Sequence, residues 1–153
     1  AMLYVRFPQV LADHFVFGSG LASYATYSSG DVGYSLLYKD YGVDEVYGLV
    51  EGDCPFISDT FFPELAQFGI VGIILFFYFW IWVYKKIKPW STDSDSIHLY
   101  KLGVLIIAFI FIESVAGSVF LQGSGVLTMI LLGFVVNDIS IKRGHLKSKP
   151  TNE

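Results

Sequence analysis

Three ionisable side chains stand where a charge could do chemistry in this chain of 153 residues: Arg6, Asp59 and Glu113. Arg6 is the sole arginine before the C-terminal basic segment. Its guanidinium is a planar fork of donors suited to phosphate oxygens; read as a plain helix charge, it would instead pair with Asp13. Asp59 lies between Ser58 and Thr60, just ahead of a long apolar run. A carboxylate there could take a proton from a hydroxyl if burial raised its pKa, or it could cap a helix through a backbone N–H. Glu113 is the only ionisable residue well inside an apolar run, a position that is costly in lipid and often marks a paired or functional group. It also lies close enough to the end of that run to reach water.

Weaker signals surround these three. Glu64, with Pro63, stands at the start of the apolar run, where an acid favours the positive end of a helix dipole. His14 reads as a base or simply as a helix-end residue. Six tyrosines, from Tyr24 to Tyr47, crowd residues 21–58; their rings can stack on sugars or fill a loop core. The three histidines and the single cysteine, Cys54, are too far apart in sequence for a metal-ligand spacing. Cys54 has no basic neighbour to lower its pKa and is expected to be inert. Gly18-Ser19-Gly20 lacks the lysine and preceding strand of a nucleotide loop.

The elements that must position these groups follow from composition. Only 16% of the residues are charged against 54% hydrophobic, and the second half holds long uncharged stretches, which implies a lipid solvent. Residues 3–15 form an amphipathic helix with Leu3, Phe7, Val10, Leu11 and Phe15 on one face; Pro8 argues that it starts late. Residues 21–58 show no lasting period and read as an irregular loop with short helices. Three spans are expected, at about 65–84, 99–115 and 124–140, because roughly 20 apolar residues cross a hydrocarbon core of about 30 Å. Trp80, Trp82 and Tyr84 would form an interfacial belt ahead of Lys85, Lys86 and Lys88. Gly69 and Gly72 would let another helix approach.

Charge sets the expected orientation. Residues 1–60 hold two basic and eight acidic residues, while 85–101 and 137–153 each hold four basic and two acidic ones. Basic segments gather on the cytoplasmic side, so 85–101 and a tail over 142–153 are expected inside, with 1–60 and the 115–125 turn outside. The same segregation excludes a nucleic-acid partner, which would need one basic face. Ala1-Met2-Leu3 begins no signal peptide, and the chain is expected to start within a longer protein.

Two stretches then resemble the O-antigen polymerase and ligase family of bacterial surface-polysaccharide assembly. Ala12-Asp13-His14-Phe15-Val16-Phe17-Gly18-Ser19-Gly20-Leu21 is similar to a segment in which an amphipathic helix ends in a DHPxFGxG turn, with Phe15 in place of the proline. Ser58-Asp59-Thr60-Phe61-Phe62-Pro63-Glu64-Leu65-Ala66-Gln67-Phe68-Gly69-Ile70-Val71-Gly72 resembles the start of a late membrane helix. Glu113-Ser114 and Val119-Phe120-Leu121-Gln122 are similar to the stretch before the last span. The resemblance implies an all-α integral membrane protein of the bacterial inner membrane, with residues 1–60 as the end of a periplasmic loop. It implies polymerisation of undecaprenyl-diphosphate-linked repeat units, with no cofactor and no metal. Membrane lipid, a chain-length regulator and a flippase would be its partners. Asp59 and Arg6 are the expected catalytic groups; Arg6, His14, Tyr24, Glu64 and Glu113 are the expected substrate contacts. The family's best-marked arginine lies at the start of the amphipathic helix, so Arg6 is its neighbour. Ligases carry a His-Asn pair where this chain has Ser58-Asp59, and no histidine lies between 15 and 97, which favours polymerase over ligase. A transporter without chemistry would be expected to show further intramembrane charges or broken helices.

Overall fold

The computed structural model describes residues 2–91 and 97–148, with the side chains of 121 and 139–148 left aside. The chain is all-α: no strand forms among the described residues, and one isolated bridge joins Val50 and Asp53. The helices are α1 (Met2–Asp13), α2 (Leu36–Asp40), α3 (Gly69–Ile87), α4 (Ile97–Ala116) and α5 (Gly123–Ser148). A π turn covers Ser28–Val32, and 3-10 helices cover Phe62–Phe68, Lys88–Ser91 and Val119–Leu121.

Helix α1 runs through Pro8 and begins at Met2, earlier than the proline suggests. Tertiary bonds hold its first turn against the missing main-chain donor. Tyr24 donates its hydroxyl to the Leu3 carbonyl at 2.8 Å, and Tyr4 donates to the Val115 carbonyl at 2.7 Å. Leu3 and Val10 are buried, whereas Phe15 lies beyond the helix and is exposed.

Residues 2–57 build a core of their own. Tyr24, Tyr38, Val43, Leu49 and Ile57 pack with Leu3 and Val10 of α1. The tyrosines meet ring to ring, Tyr24 with Tyr38 and Tyr34 with Tyr38, at centroid separations of 5.8 and 5.1 Å. Each buried phenol also finds a polar partner, as an interior hydroxyl must. Tyr38 accepts from the Ala25 N–H at 2.8 Å, Tyr34 donates to the Leu49 carbonyl, and Tyr41 donates to Asp13 at 2.8 Å.

A second core joins α3, α4 and α5 through Trp80, Val83, Ile87, Ile106, Ile110, Leu132 and Val135. Trp80 therefore points into the bundle, while Trp82 and Tyr84 remain exposed. Lys86 sits over the Trp82 ring at 5.2 Å, a cation–π contact. Gly103 of α4, rather than Gly69 or Gly72, makes a close helix–helix contact, facing the Ile87 side chain. Two helical segments, Phe62–Ser91 and Ile97–Ala116, are long and apolar enough to cross a membrane. Their outer faces expose Ile74, Leu75, Phe79, Leu105 and Ile112, where a water-soluble bundle would place charges. The apolar part of α5, Gly123–Asp138, is shorter, and the helix continues unbroken through Lys142 and Arg143 to Ser148. After α3 the chain forms the 3-10 helix Lys88–Ser91, and residues 92–96 lie outside the described residues.

The two motif segments interlock. Ile70 N–H donates to the Phe15 carbonyl at 2.8 Å, Ser19 N–H to Ala66 at 3.1 Å and Gly20 N–H to Gln67 at 3.2 Å; Val71 N–H reaches the Val16 carbonyl at 3.4 Å. The first turn of a helix leaves its N–H groups unsatisfied, and here the 15–16 main chain supplies the acceptors.

Candidate functional site

The site is built on the passage from Ser58 to Gly69, where the first core meets the bundle. Phe61 N–H donates to the Ser114 carbonyl at 3.2 Å, fixing this passage to the end of α4. The Phe61 ring packs against Phe120 at a centroid separation of 4.3 Å and against Phe76 at 5.5 Å. The 3-10 helix that follows has three residues per turn, so side chains three apart eclipse. Glu64 and Gln67 consequently share a face, and both are 3% exposed.

Gln67 spends both ends of its amide on the N-terminal core. Its Nε2 donates to the Tyr24 carbonyl at 2.7 Å, and its Oε1 accepts from the Ser23 N–H at 3.3 Å. Glu64 has a different neighbourhood. Ser118 Oγ lies 2.9 Å from Glu64 Oε1 and also donates to the Ser58 carbonyl. A hydroxyl carries one proton and a carbonyl can only accept. The Ser118 proton therefore serves one acceptor at a time, and the carboxyl can either accept it or, when protonated, donate to Ser118. No ion pair to Glu64 occurs among the described residues, where the recorded one joins Lys39 and Glu51 at 2.8 Å. A buried acid of this kind can receive and return a proton.

Two recesses flank the Asp59–Phe61 main chain. One, of about 290 Å³, is lined by Met2, Leu3, Tyr47, Phe56, Asp59 and Thr60. The other, of about 280 Å³, is lined by Ala22, Thr26, Tyr27, Glu64, Gln67 and Phe68 among others. Each holds one acid and one buried threonine hydroxyl without a partner, Thr60 in the first and Thr26 in the second. Ala22 and Ala25, beside the second recess, hold φ of +60° and +59°, a conformation that costs a non-glycine residue about 1–2 kcal/mol. Strain of this sort tends to gather at functional sites. An apolar groove of about 320 Å³, lined by Phe61, Leu65, Phe68, Gly72, Phe76 and Phe120, adjoins the second recess. Phe61 and Phe68 line both.

No protein-family model, curated protein or solved structure matches this chain. The family resemblance rests on the motifs themselves.

Several of the expected site residues take clear places. Asp59 is exposed at the first recess; it does not cap the following helix, whose N-cap residue is Phe61 and which has no side-chain cap. Arg6 is half-buried, bonds Gln9 Oε1 at 3.3 Å and leaves Nε unpartnered. It does not pair with Asp13, which Tyr41 occupies. Tyr24 is fully buried and belongs to the core, out of reach of a ligand. Tyr27 is exposed and lines the second recess. His14 is half-buried and ends α1, its carbonyl accepting from the Gly18 N–H at 2.9 Å. Glu113 is half-buried in the last turn of α4, with Oε2 buried and unpartnered. It lines neither recess. Gln67, Thr26 and Ser118 were not singled out from sequence; Gln67 alone had a signal, its place inside the second motif. Among the described residues no group of acids, histidines and cysteine could hold a metal.

Burial also fixes the phenols as neutral donors and acceptors. Tyr38 is pushed up to about 12 by burial, against the bonds from Ser29 and Ala25. Tyr41 reaches about 12, again chiefly through burial, with Asp13 adding to it. The Cys54 thiol is raised by burial and by its bond to Asp31.

Proposed function

We propose that this chain belongs to a bacterial inner-membrane polysaccharide polymerase, joining undecaprenyl-diphosphate-linked repeat units at the outer face. In this reading α3, α4 and the apolar part of α5 cross the bilayer, α1 and the core around it lie outside, and the basic ends of α3 and α5 lie inside. The third crossing is short, since the 16 residues of Gly123–Asp138 rise about 24 Å.

The observation that carries the reading is the shared wall of Phe61 and Phe68. A lipid-linked glycan diphosphate is polar at one end and apolar at the other. A recess that holds a carboxyl and hydroxyl groups among apolar walls, and shares two of those walls with an aromatic groove at the end of a membrane helix, suits both ends at once. The acceptor sugar's hydroxyl oxygen would attack the anomeric carbon of the lipid-linked chain. The bond from that carbon to the diphosphate oxygen breaks, its electron pair leaves with undecaprenyl diphosphate, and the hydroxyl proton passes to a carboxylate.

Glu64 is favoured for that proton over Asp59, because it lines the recess contiguous with the groove. Asp59, exposed at the other recess, would have a secondary part. Arg6, without a carboxylate partner among the described residues, is the anion-binding candidate for the diphosphate, an electrostatic role. The test is a gel of surface glycans from the source bacterium with the full gene deleted. Glycan halted at one repeat unit on its anchor supports polymerisation. Long polymer stranded on the lipid carrier would assign a ligase, and an unchanged ladder would exclude both.

A further inference from the structure

We infer that the turn Phe15–Leu21 is a membrane anchor that inserts at the outer leaflet's headgroup and acyl boundary and seats the N-terminal core on the bilayer. The inference rests on the membrane reading of α3 and α4 but not on the glycosyl-transfer reading. Four large apolar side chains are exposed within these seven residues, Phe17 at 80% and Leu21 at 78%, with Phe15 and Val16 about half exposed. Isolated exposed apolar residues are ordinary, but a cluster of this density marks an interaction surface. No charged residue occurs from Phe15 to Gly30, so insertion buries no charge.

Part of the main chain is also prepared, three of the turn's seven N–H groups being bonded within the protein. Lipid offers no partner for an open N–H. Gly18 N–H is bonded to His14, Ser19 N–H to Ala66 and Gly20 N–H to Gln67. The Ser23 hydroxyl, 2.6 Å from Ser19 Oγ, donates back to the Gly20 carbonyl.

The occupant is set by continuity. The Phe15 and Val16 carbonyls accept from Ile70 and Val71, so the turn lies beside the first residues of α3. There Val71, Ile74 and Leu75 begin the helix's exposed apolar surface. A turn bonded to the start of a membrane-crossing helix and exposing apolar side chains beside the helix's own meets the same solvent, and it then lies about 5–10 Å into the headgroup and acyl boundary.

The test is spin labelling of the full chain in phosphatidylethanolamine–phosphatidylglycerol vesicles, with Cys54→Ala as background. Nitroxides would be placed at Phe17→Cys, Leu21→Cys, Leu75→Cys and Glu45→Cys, and relaxed by oxygen or by a water-soluble nickel chelate. The anchor predicts that positions 17 and 21 resemble Leu75, with an oxygen-to-nickel accessibility ratio several-fold above that of Glu45. Labels at 17 and 21 as open to nickel as Glu45, with Leu75 still lipid-exposed, overturn the anchor and leave the membrane reading intact. Labels at 17 and 21 reached by neither reagent also overturn it, because protein then covers the turn. If Leu75 itself follows Glu45, the membrane reading falls and the anchor with it.

Discussion

Gly18 and Gly69 each occupy space that the other's side chain would need. A Cβ on Gly18 would overlap Gly69 N and the Gln67 carbonyl group, and a Cβ on Gly69 would overlap Gly18 N and lie 2.6 Å from the Val16 oxygen. Both residues also hold positive φ, +78° and +61°. The glycines of the two motifs are thus the halves of one main-chain clasp. The clasp sets where the 3-10 helix stops and α3 starts, and so where Glu64 and Gln67 face.

Alanine at either clasp position is expected to destabilise the N-terminal core by about 2–4 kcal/mol, combining left-handed strain with main-chain overlap. Gly20→Ala is the comparison, since Gly20 also holds positive φ but has nothing within 4 Å of its Cβ position. It should cost only about 1–2 kcal/mol. Thermal melting in detergent ranks the three; equal losses at all three would remove the clasp.

Tyr38→Phe keeps the ring and removes the oxygen that accepts from Ala25 N–H and meets Ser29. Ala25 is fully buried, so its N–H is left without a partner, at a cost of about 1–3 kcal/mol. Chemical unfolding should detect that loss, whereas Tyr47→Phe, at an exposed ring, should change little.

Ser118→Ala and Ser114→Ala should separate sharply in the same melts. Removing the Ser118 hydroxyl leaves the Ser58 carbonyl and Glu64 without their shared donor, about 1–3 kcal/mol. Ser114 bonds the Ile110 carbonyl one turn back in its own helix, so its loss should cost less.

Cys54 should resist thiol reagents near pH 8. The thiolate is the reactive form, and burial with the Asp31 contact raises this thiol, so little thiolate exists below the raised pKa. Modification should track unfolding of the N-terminal core; rapid labelling of the folded chain would contradict its burial.

Much of the architecture was legible because uncharged runs have few readings. Leu65–Tyr84 and Leu99–Val115 had to be helices for length and composition alone, and α4 spans Ile97–Ala116. The same uniformity hid their facing: a helix apolar all round carries no sign that Trp80 turns inward and Trp82 outward. Residues 21–58 were opaque for a different reason. Their core forms through tyrosine pairs and hydroxyl bonds between short turns, and such contacts have no period. At the site, sequence offered Asp59 as the catalytic acid and Glu64 as a substrate contact, five residues apart before the apolar run. Only the 3-10 helix, with Phe61 held to Ser114, decides that Glu64 is buried with Gln67 while Asp59 is exposed.

The account is tested most directly by returning variants to the deletion strain and reading glycan length on gels, with membrane protein level checked alongside. Glu64→Gln at normal abundance should leave single-repeat glycan, and Asp59→Asn should shorten the polymer less severely. Full-length polymer from Glu64→Gln would contradict the proton-accepting role of Glu64 and the choice of its recess as the reacting site.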